Sequence, residues 1–125
     1  MVDDEADARE FLAAMFSRCD AEVRIAVDGL QALQTLAQWT PDLIVSDIGM
    51  ADMDGYELMR KVRLLSVTKG GAIPAIALTA YAHEDDRSRA FAAGFHGHLA
   101  KPVDPTELFA LVVKLTRKPT NAPSR

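Results

Sequence analysis

Residues 42–47 read Asp-Leu-Ile-Val-Ser-Asp, so that three consecutive large apolar residues are followed closely by a carboxylate. An uninterrupted apolar run of this kind is typical of a strand that is covered on both faces of a parallel sheet. Two further runs, residues 73–78 and 95–100, lead in the same way to Thr79 and Lys101. Because ligands bind at the carboxyl ends of strands in such sheets, these polar side chains are expected to share one site.

Patterns of helical period lie between these apolar runs. Asp28, Asp54 and Asp104 each stand just before such a pattern and are predicted to cap its helix. Residues 23–27 instead alternate apolar and polar, which predicts a half-buried strand. The side chains predicted to turn inward are Phe11, Leu12, Met15 and Phe16 in the first helix, Val23, Ile25 and Val27 in this strand, and Leu30, Leu33 and Leu36 in the second helix. Alternating strands and helices predict an α/β fold with a doubly wound parallel sheet.

Length and composition fit one small domain. A chain of 125 residues can bury one core of ordinary size but hardly two. Residues 1–117 are assigned to this domain. Residues 118–125 contain two prolines and little to bury, so they are expected to be a flexible tail or a linker stub.

Charge and cysteine content argue against several classes of protein. The net charge is −4 and no basic stripe is present, so direct binding to nucleic acid is not expected. Cys19 is the single cysteine, which excludes an internal disulfide and fits a reducing compartment. No apolar stretch approaches the ~18 residues that a membrane span needs, and no secretory leader is visible. The protein is therefore expected in the cytoplasm, without a membrane partner.

The acidic residues Asp3, Asp4 and Asp47 would bring like charges into one small site. Two such charges ~4 Å apart repel by about 4 kcal/mol at an effective dielectric of ~20, so a cation has to join them. Mg²⁺ fits this need because it prefers hard oxygen ligands and keeps several waters. Thr79 and Lys101 add two donors for phosphoryl oxygens and leave one carboxylate free as a nucleophile. The chemistry implied is formation of an aspartyl phosphate.

The chain resembles the receiver domain of the response regulators of two-component signalling. Four motifs carry the resemblance, and they are Val2-Asp3-Asp4-Glu5, Asp47-Ile48-Gly49-Met50-Ala51-Asp52-Met53-Asp54-Gly55, Ala77-Leu78-Thr79-Ala80 and Lys101-Pro102. The resemblance implies a flavodoxin-like sheet of five strands in the order 2-1-3-4-5. It also implies that the peptide bond between Lys101 and Pro102 is cis.

The resemblance assigns the roles of the acidic residues. Asp47 is the expected phosphoacceptor, which takes a phosphoryl group from a histidine kinase or a histidine phosphotransfer protein. Mg²⁺ is expected on Asp4, Asp47 and the backbone carbonyl of Gly49, and Asp3 is expected to hold a metal-bound water. Hydrolysis is expected to be slow, because Gly49 offers no side chain to the attacking water and Tyr81 is bulky enough to shield the phosphoryl group.

The resemblance also assigns a switch and partners. Lys101 is expected to counter the charge on the phosphoryl oxygens, and Thr79 is expected to be the switch hydroxyl. His98 stands where receivers often carry an aromatic residue that swings inward, so it belongs to the expected switch. A downstream protein would recognise the surface around the fourth helix, fifth strand and fifth helix, and a homodimer is compatible with the pattern. Residues 70–104 look most like receivers attached to hybrid sensor kinases, with a stand-alone regulator as the alternative.

The start of the sequence departs from the family. Only Met1 and Val2 precede Asp3, whereas the family's first strand is an apolar run of about five residues. The first strand is therefore expected to be largely missing. The sheet would then close up as four strands, or another chain or the tail would fill the gap. Asp3 and Asp4 would be displaced from Asp47, with weaker Mg²⁺ binding.

Three alternatives remain open. A degenerate receiver that is never phosphorylated and serves only as a docking module would fit a missing first strand. A Mg²⁺-dependent phosphatase with an aspartate nucleophile needs a second acid two residues later, where this chain has Gly49. A nucleotide- or flavin-binding domain needs a phosphate loop after its first strand, and the acidic run 3–5 would repel phosphate there.

Overall fold

The computed structural model describes residues 1–18, 21–66, 68, 71–80 and 84–116. Within these residues the chain forms one parallel sheet of three strands and five helices. The elements in chain order are α1 (Ala6–Ser17), α2 (Gly29–Leu36), β1 (Ile44–Asp47), α3 (Gly55–Arg63), β2 (Ala75–Thr79), α4 (Glu84–Ala93), β3 (Gly97–Ala100) and α5 (Pro105–Thr116).

The three strands pair in the order β1-β2-β3, and both pairings are parallel. Asp47 lies opposite Leu78, and Leu78 lies opposite Leu99, so the carboxyl ends of all three strands meet at one edge. Every residue of β1 and β2 is buried, as expected for strands covered on both faces. The parallel α/β arrangement predicted from the sequence is therefore confirmed.

Val2 lies between Ala26 and β1 in the sheet. It forms one parallel bridge to Ala26 and another to Ser46 of β1. The spatial order is therefore Ala26, Val2, β1, β2 and β3. This is the order 2-1-3-4-5 with its first two members reduced to bridges.

The expected consequences of a missing first strand are wrong on two points, because the sheet does not close up as four strands and the N-terminal acids are not displaced. Val2 donates to the carbonyl of Val45 at 2.8 Å and accepts from the N–H of Asp47 at 2.9 Å. On its other side, Ala26 donates to the carbonyl of Met1 at 2.9 Å and accepts from the N–H of Asp3 at 3.1 Å. These four bonds set the backbone of residues 1–3 in a strand position beside β1.

Two hydrophobic clusters lie on the two faces of the sheet. The side chains of β1 and β2 alternate between them, with Ile44 and Ala75 in one and Val45 and Ile76 in the other. One face packs against α2, α3 and α4, and its buried residues include Ala32, Leu36, Leu58, Met59, Val62 and Ala90. The other face packs against α1 and α5, through Leu12, Met15 and Leu108.

Some side chains predicted to turn inward face solvent instead. Ile25 and Val27 are 43% and 40% exposed, because the bridge to Val2 places Ala26 on the core side of that segment. Leu30 is 61% exposed, since α2 buries Gly29, Ala32 and Leu36 and Leu30 lies off that face. Phe11 is 49% exposed for the same reason, because α1 buries Leu12 and Met15.

The predicted helix caps are present. Asp28 accepts from the N–H of Gln31 at 2.8 Å, and Asp54 accepts from the N–H of Glu57 at 2.8 Å. Asp104 accepts from the N–H of Thr106 at 2.9 Å. Each bond satisfies an N–H group that a helix start leaves free.

Two predictions concern parts of the chain that lie outside the described residues. These are the shielding role of Tyr81 and the tail with its boundary between residues 117 and 118. Among the residues that are described, no helix is both long and apolar enough to cross a lipid bilayer.

Candidate functional site

The polar ends of the strands meet at one edge of the sheet. Asp47 is the last residue of β1 and Thr79 is the last residue of β2. Lys101 directly follows β3, and its N–H donates to the carbonyl of Thr79 at 2.8 Å. The Lys101–Pro102 peptide bond is cis. The fold thus brings together side chains that are more than twenty residues apart in the chain.

Three carboxylates form a cluster beside these strand ends. An oxygen of Asp3, one of Asp4 and one of Asp47 all lie within 4.8 Å of one another. Asp3 and Asp47 are buried, at 1% and 5% exposure, whereas Asp4 faces solvent. Asp4 also accepts a hydrogen bond from the N–H of Ala51 at 3.3 Å. The exposed acid therefore gives the cluster an open side.

Lys101 is the cation of this cluster among the described residues. Its Nζ lies 3.1 Å from Oδ1 of Asp47, 3.3 Å from Oδ2 of Asp3 and 3.6 Å from Oε1 of Glu5. Burial lowers the pKa of Lys101, but the hydrogen bonds and negative charges of Asp47 and Asp3 outweigh it, so that the pKa is raised above its ordinary value. The lysine is therefore held in its charged form between the two buried acids.

Asp47 is strained electrostatically in spite of this lysine. Burial raises the pKa of Asp47, and the negative charge of Asp3 raises it further. The hydrogen bond and charge of Lys101 and the N–H of Gly49 lower the pKa of Asp47, but they do not offset the burial. The carboxylate therefore needs more positive charge than the protein itself supplies.

A divalent cation fits this requirement. The three carboxylates and the one ammonium leave two negative charges uncompensated. The available donors are carboxylate oxygens, one of them exposed, which matches the hard-oxygen preference and the partly hydrated state of Mg²⁺. The cluster therefore has the type and arrangement of ligands that a Mg²⁺ ion can use.

The loop after β1 shapes one side of the cluster. A Cβ added at Gly49 would meet no atom within 4 Å, so the space beside this residue is open. A Cβ at Gly55 would lie 2.5 Å from the carbonyl oxygen of Asp47, so the first turn of α3 approaches the backbone of Asp47 too closely for any side chain. Asp52 between them has a φ of 66°, in the left-handed region that aspartate tolerates.

His98 lies in β3 opposite Ala77, three residues before Lys101. Its Nε2 is buried and has no hydrogen-bond partner among the described residues. Burial lowers the pKa of His98, the charge of Arg87 lowers it further, and the charge of Asp86 opposes them. The imidazole is therefore held neutral in this position.

Sequence reasoning missed two contacts of the site. Glu5 approaches Lys101, and the signal was present because Glu5 extends the acidic run that begins at Asp3. Arg9 donates from a guanidinium nitrogen to the carbonyl of Asp3 at 2.9 Å. No sequence pattern pointed to this bond, which depends on how α1 leaves the sheet.

The family comparison agrees with this geometry. A family model described as "Response regulator receiver domain" matches residues 1–113. Receiver domains of that family bind Mg²⁺ at an acidic pocket. The matched residues include every member of the cluster.

Individual proteins are similar to this chain in sequence, and one of them is also similar in its solved structure. An uncharacterized 14.6 kDa protein of Leptolyngbya boryana is 48% identical over 90% of this chain and 84% of its own length. The response regulator Rre1 of Synechocystis is 34% identical over 92% of this chain, which spans 49% of that regulator. The solved receiver domain of the sensor histidine kinase PA1611 of Pseudomonas aeruginosa, with magnesium in its active-site cleft, has a TM-score of 0.84. It is 30% identical, and the match covers 94% of each chain.

The strain on Asp47 gives a test of the cluster that needs no partner. In the presence of a chelator, Asp47→Asn should raise the melting temperature by a few degrees, about 1 kcal/mol, because it removes one buried like charge. Saturating Mg²⁺ should reduce the difference in melting temperature between the wild type and Asp47→Asn, since the cation would stabilise the native acid cluster more than the variant. The measurement is thermal unfolding of both proteins with and without Mg²⁺.

Asp52→Asn is the matched control, because Asp52 is an exposed carboxylate of the same loop outside the cluster. It should change the melting temperature little in either condition. A less stable Asp47→Asn protein in chelator would contradict the electrostatic account of the site.

Proposed function

The chain belongs to the response regulator receiver domain family of two-component signalling, and we propose that it takes a phosphoryl group from a phosphohistidine onto Asp47. The observation that carries this proposal is the position of Asp47, buried at the strand end, inside an acidic cluster and 3.1 Å from the Nζ of Lys101. A buried carboxylate with a neighbouring cation and open space beside it is suited to nucleophilic attack.

The proposed reaction is an in-line displacement at phosphorus. A carboxylate oxygen of Asp47 attacks the phosphorus atom, so that an O–P bond forms while the P–N bond to the histidine breaks. The bonding electrons stay on the imidazole nitrogen. The imidazole leaves neutral because its other nitrogen carries a proton.

The other site residues prepare the attack. Lys101 holds the Asp47 carboxylate in place and is within reach of a phosphoryl oxygen added there. Asp4, Asp47 and the carbonyl of Gly49 are the proposed direct ligands of Mg²⁺, and Asp3 would hold a metal-bound water. When bound, Mg²⁺ supplies positive charge that offsets the phosphoryl oxygens.

Thr79 and His98 are the proposed switch. Thr79 ends the strand next to β1, so a small movement brings its hydroxyl toward a phosphoryl group on Asp47. His98 lies on the neighbouring strand β3, opposite Ala77. Two arrangements of these side chains would present two surfaces on α4, β3 and α5, and a downstream protein that prefers one surface would read the state.

The chain's wider context is also a proposal. The phosphoryl donor would be a histidine kinase or a histidine phosphotransfer protein of the cytoplasm. The Synechocystis relative is a response regulator and the Pseudomonas relative is part of a sensor kinase, so both a stand-alone regulator and a hybrid-kinase receiver fit. A docking module without phosphorylation, which a largely missing first strand would fit, is the alternative, and the grouping of Asp3 and Asp4 with Asp47 favours the phosphoacceptor proposal over it.

Labelling tests the phosphoacceptor directly. A small phosphodonor such as acetyl phosphate should label the protein at Asp47 alone, and only with a divalent cation, because the proposed roles of Asp3 and Asp4 are to hold the cation and its water, which leaves Asp47 as the nucleophile. Mass spectrometry should place the added phosphoryl group on the peptide that contains Asp47. Asp47→Asn should abolish labelling, while Asp52→Asn should retain it. Labelling that survives Asp47→Asn, or that ignores a chelator, would refute the mechanism.

Gly49 should set the lifetime of the phosphorylated state. The space beside Gly49 is open, so Gly49→Asn fits without a clash and offers an amide that can orient an attacking water. Hydrolysis of the aspartyl phosphate should become several-fold faster, measured as loss of label after the phosphodonor is removed. Gly49→Ala is the control that fills space without a polar group, and it should not accelerate hydrolysis. Equal rates for the wild type and Gly49→Asn would show that water access is controlled elsewhere.

His98 should make switching depend on pH. The charged imidazole is disfavoured at a site whose buried Nε2 has no partner among the described residues, so protonation should drive His98 out of this position. Because burial and Arg87 lower the pKa of His98, switching should hold above the ordinary value of ~6.5 and weaken as the pH falls below it. The measurement is the change in the Thr79 NMR signal on adding beryllofluoride and Mg²⁺ between pH 5 and 8.

His98→Phe should remove this dependence, because phenylalanine carries no proton to gain. His96→Asn, at the residue just before β3, is the matched control and should keep the wild-type profile. Coinciding profiles for the wild type and His98→Phe would show that His98 takes no part in switching.

A further inference from the structure

Arg9 is the fourth residue of α1, and its side chain reaches back past the start of that helix. A nitrogen of its guanidinium donates to the carbonyl oxygen of Asp3 at 2.9 Å. The dipole of a helix disfavours positive charge near its N-terminal end. The charge of Arg9 is therefore of no benefit to α1 itself, and the effect of this side chain lies in its bond to Asp3.

The carbonyl of Asp3 lies where the pairing with the segment around Ala26 ends. The N–H of Asp3 still donates to the carbonyl of Ala26 at 3.1 Å, whereas the carbonyl of Asp3 accepts from Arg9. Asp3 is 1% exposed, so a carbonyl without a donor at this position would be shielded from water. Buried carbonyl groups are unfavourable unless they are hydrogen-bonded. Arg9 therefore stabilises this conformation of the Asp3 backbone.

The peptide group that accepts from Arg9 also carries Asp4. Because a peptide unit is planar, a bond to its oxygen also fixes the direction in which the chain continues to the Cα of Asp4. The side chain of Asp4 is exposed, and the hydrogen bond that it accepts from the N–H of Ala51 is long, at 3.3 Å. This side chain thus contributes little to its own placement, which depends mainly on the backbone that Arg9 holds.

Lys101 also holds Asp3, but it divides its contacts among several acids. Its Nζ lies 3.3 Å from Oδ2 of Asp3 and 3.1 Å from Oδ1 of Asp47. In the proposed reaction, a phosphoryl group on Asp47 would attract Lys101 toward its oxygens. The contact between Lys101 and Asp3 would then weaken, whereas the bond from Arg9 involves none of the reacting groups. Arg9 is thus suited to hold Asp3 throughout the reaction.

We propose that Arg9 is a positioning residue for the acidic cluster. Through the carbonyl of Asp3 it holds the backbone of Asp4 in the place from which the Asp4 carboxylate binds Mg²⁺. This inference rests on the proposed function, since Mg²⁺ is the ligand for which the acids are placed. Arg9 acts only through Asp3 and is not a catalytic residue.

The first test measures Mg²⁺ affinity by titrating the amide signals of Gly49 and Ala51. Arg9→Met removes the donors but keeps a long side chain that favours a helix, and it should raise the Kd for Mg²⁺ about tenfold. Arg18→Met is the matched control, because it removes the same charge from the other end of α1, and it should change the Kd little. The effect of Arg9→Met should persist in ~0.5 M sodium chloride, which screens charge but does not restore a lost hydrogen bond.

The second test needs no metal and measures amide exchange in the presence of a chelator. The N–H of Glu5 donates to Oδ1 of Asp3 at 3.0 Å, so its exchange reports how firmly Asp3 is held. Arg9→Met should make the Glu5 amide exchange several-fold faster. The N–H of Asp47, which donates to the carbonyl of Val2 at 2.9 Å, is the internal reference and should keep its wild-type rate.

Faster exchange at Glu5 together with weaker Mg²⁺ binding at high salt supports the proposal. Equal Mg²⁺ affinity in the wild type and Arg9→Met overturns it. A loss of affinity that high salt removes, or that Arg18→Met reproduces, also overturns it, because only net charge would then matter. Equally faster exchange at Asp47 would show that Arg9 stabilises the whole domain and positions nothing in particular.

Failure of the proposed function would give a different result. If acetyl phosphate leaves wild-type Asp47 unlabelled while both effects of Arg9→Met are observed, the proposed phosphoryl transfer is wrong and the positioning of the acids by Arg9 is supported. If Asp47 is labelled and both effects are absent, the proposed function holds and the role of Arg9 is refuted.

Discussion

Repulsion among three carboxylates is the constraint on which the rest of this structure depends. Their oxygens lie within 4.8 Å of one another, and Lys101 offsets only part of their charge. Burying two of these acids beside a third is unfavourable unless a further cation joins them. Binding of such a cation would therefore reduce the repulsion within the site. A fold that keeps such a site has to supply rigid support from elsewhere.

That support is unequal on the two sides of the cluster. Asp47 and Thr79 end strands whose every residue is buried, so both are fixed by the packing of helices on each face of the sheet. Asp3 and Asp4 instead follow a single bridging residue, Val2, which is held by backbone bonds to Val45, Asp47 and Ala26. The strand ends are the rigid half of the site. The N-terminal acids are the half whose position depends on few contacts.

The sequence was sufficient to predict those features of the fold that one strong local pattern determines. The apolar run before Asp47 needs cover on both of its faces in any compact arrangement. Helix caps are also local, because Asp28, Asp54 and Asp104 each accept from an N–H only two or three residues away. Because parallel strands align their carboxyl ends, the placement of the polar strand ends at one edge also followed from the pattern.

The sequence was insufficient where the outcome depended on a partner far along the chain. The exposure of Ile25 and Val27 is decided by the bridge between Ala26 and Val2, which no alternation of apolar and polar residues specifies. The position of Val2 between Ala26 and β1 could not be predicted from an apolar run, since it is set by backbone hydrogen bonds to residues far along the chain. The contact of Glu5 with Lys101 likewise depends on the fold.

Gly49, in the loop after β1, and Gly55, at the start of α3, place opposite limits on how this sequence can vary. At Gly55 an added carbon would press against the backbone of Asp47. A substitution at Gly55 would therefore disturb the strand end that carries Asp47. At Gly49 an added carbon meets nothing, so side chains of many kinds can be sampled there without disturbing the fold. Mutational drift at position 49 can therefore vary the surroundings of the acidic cluster while the backbone that carries Asp47 stays constant.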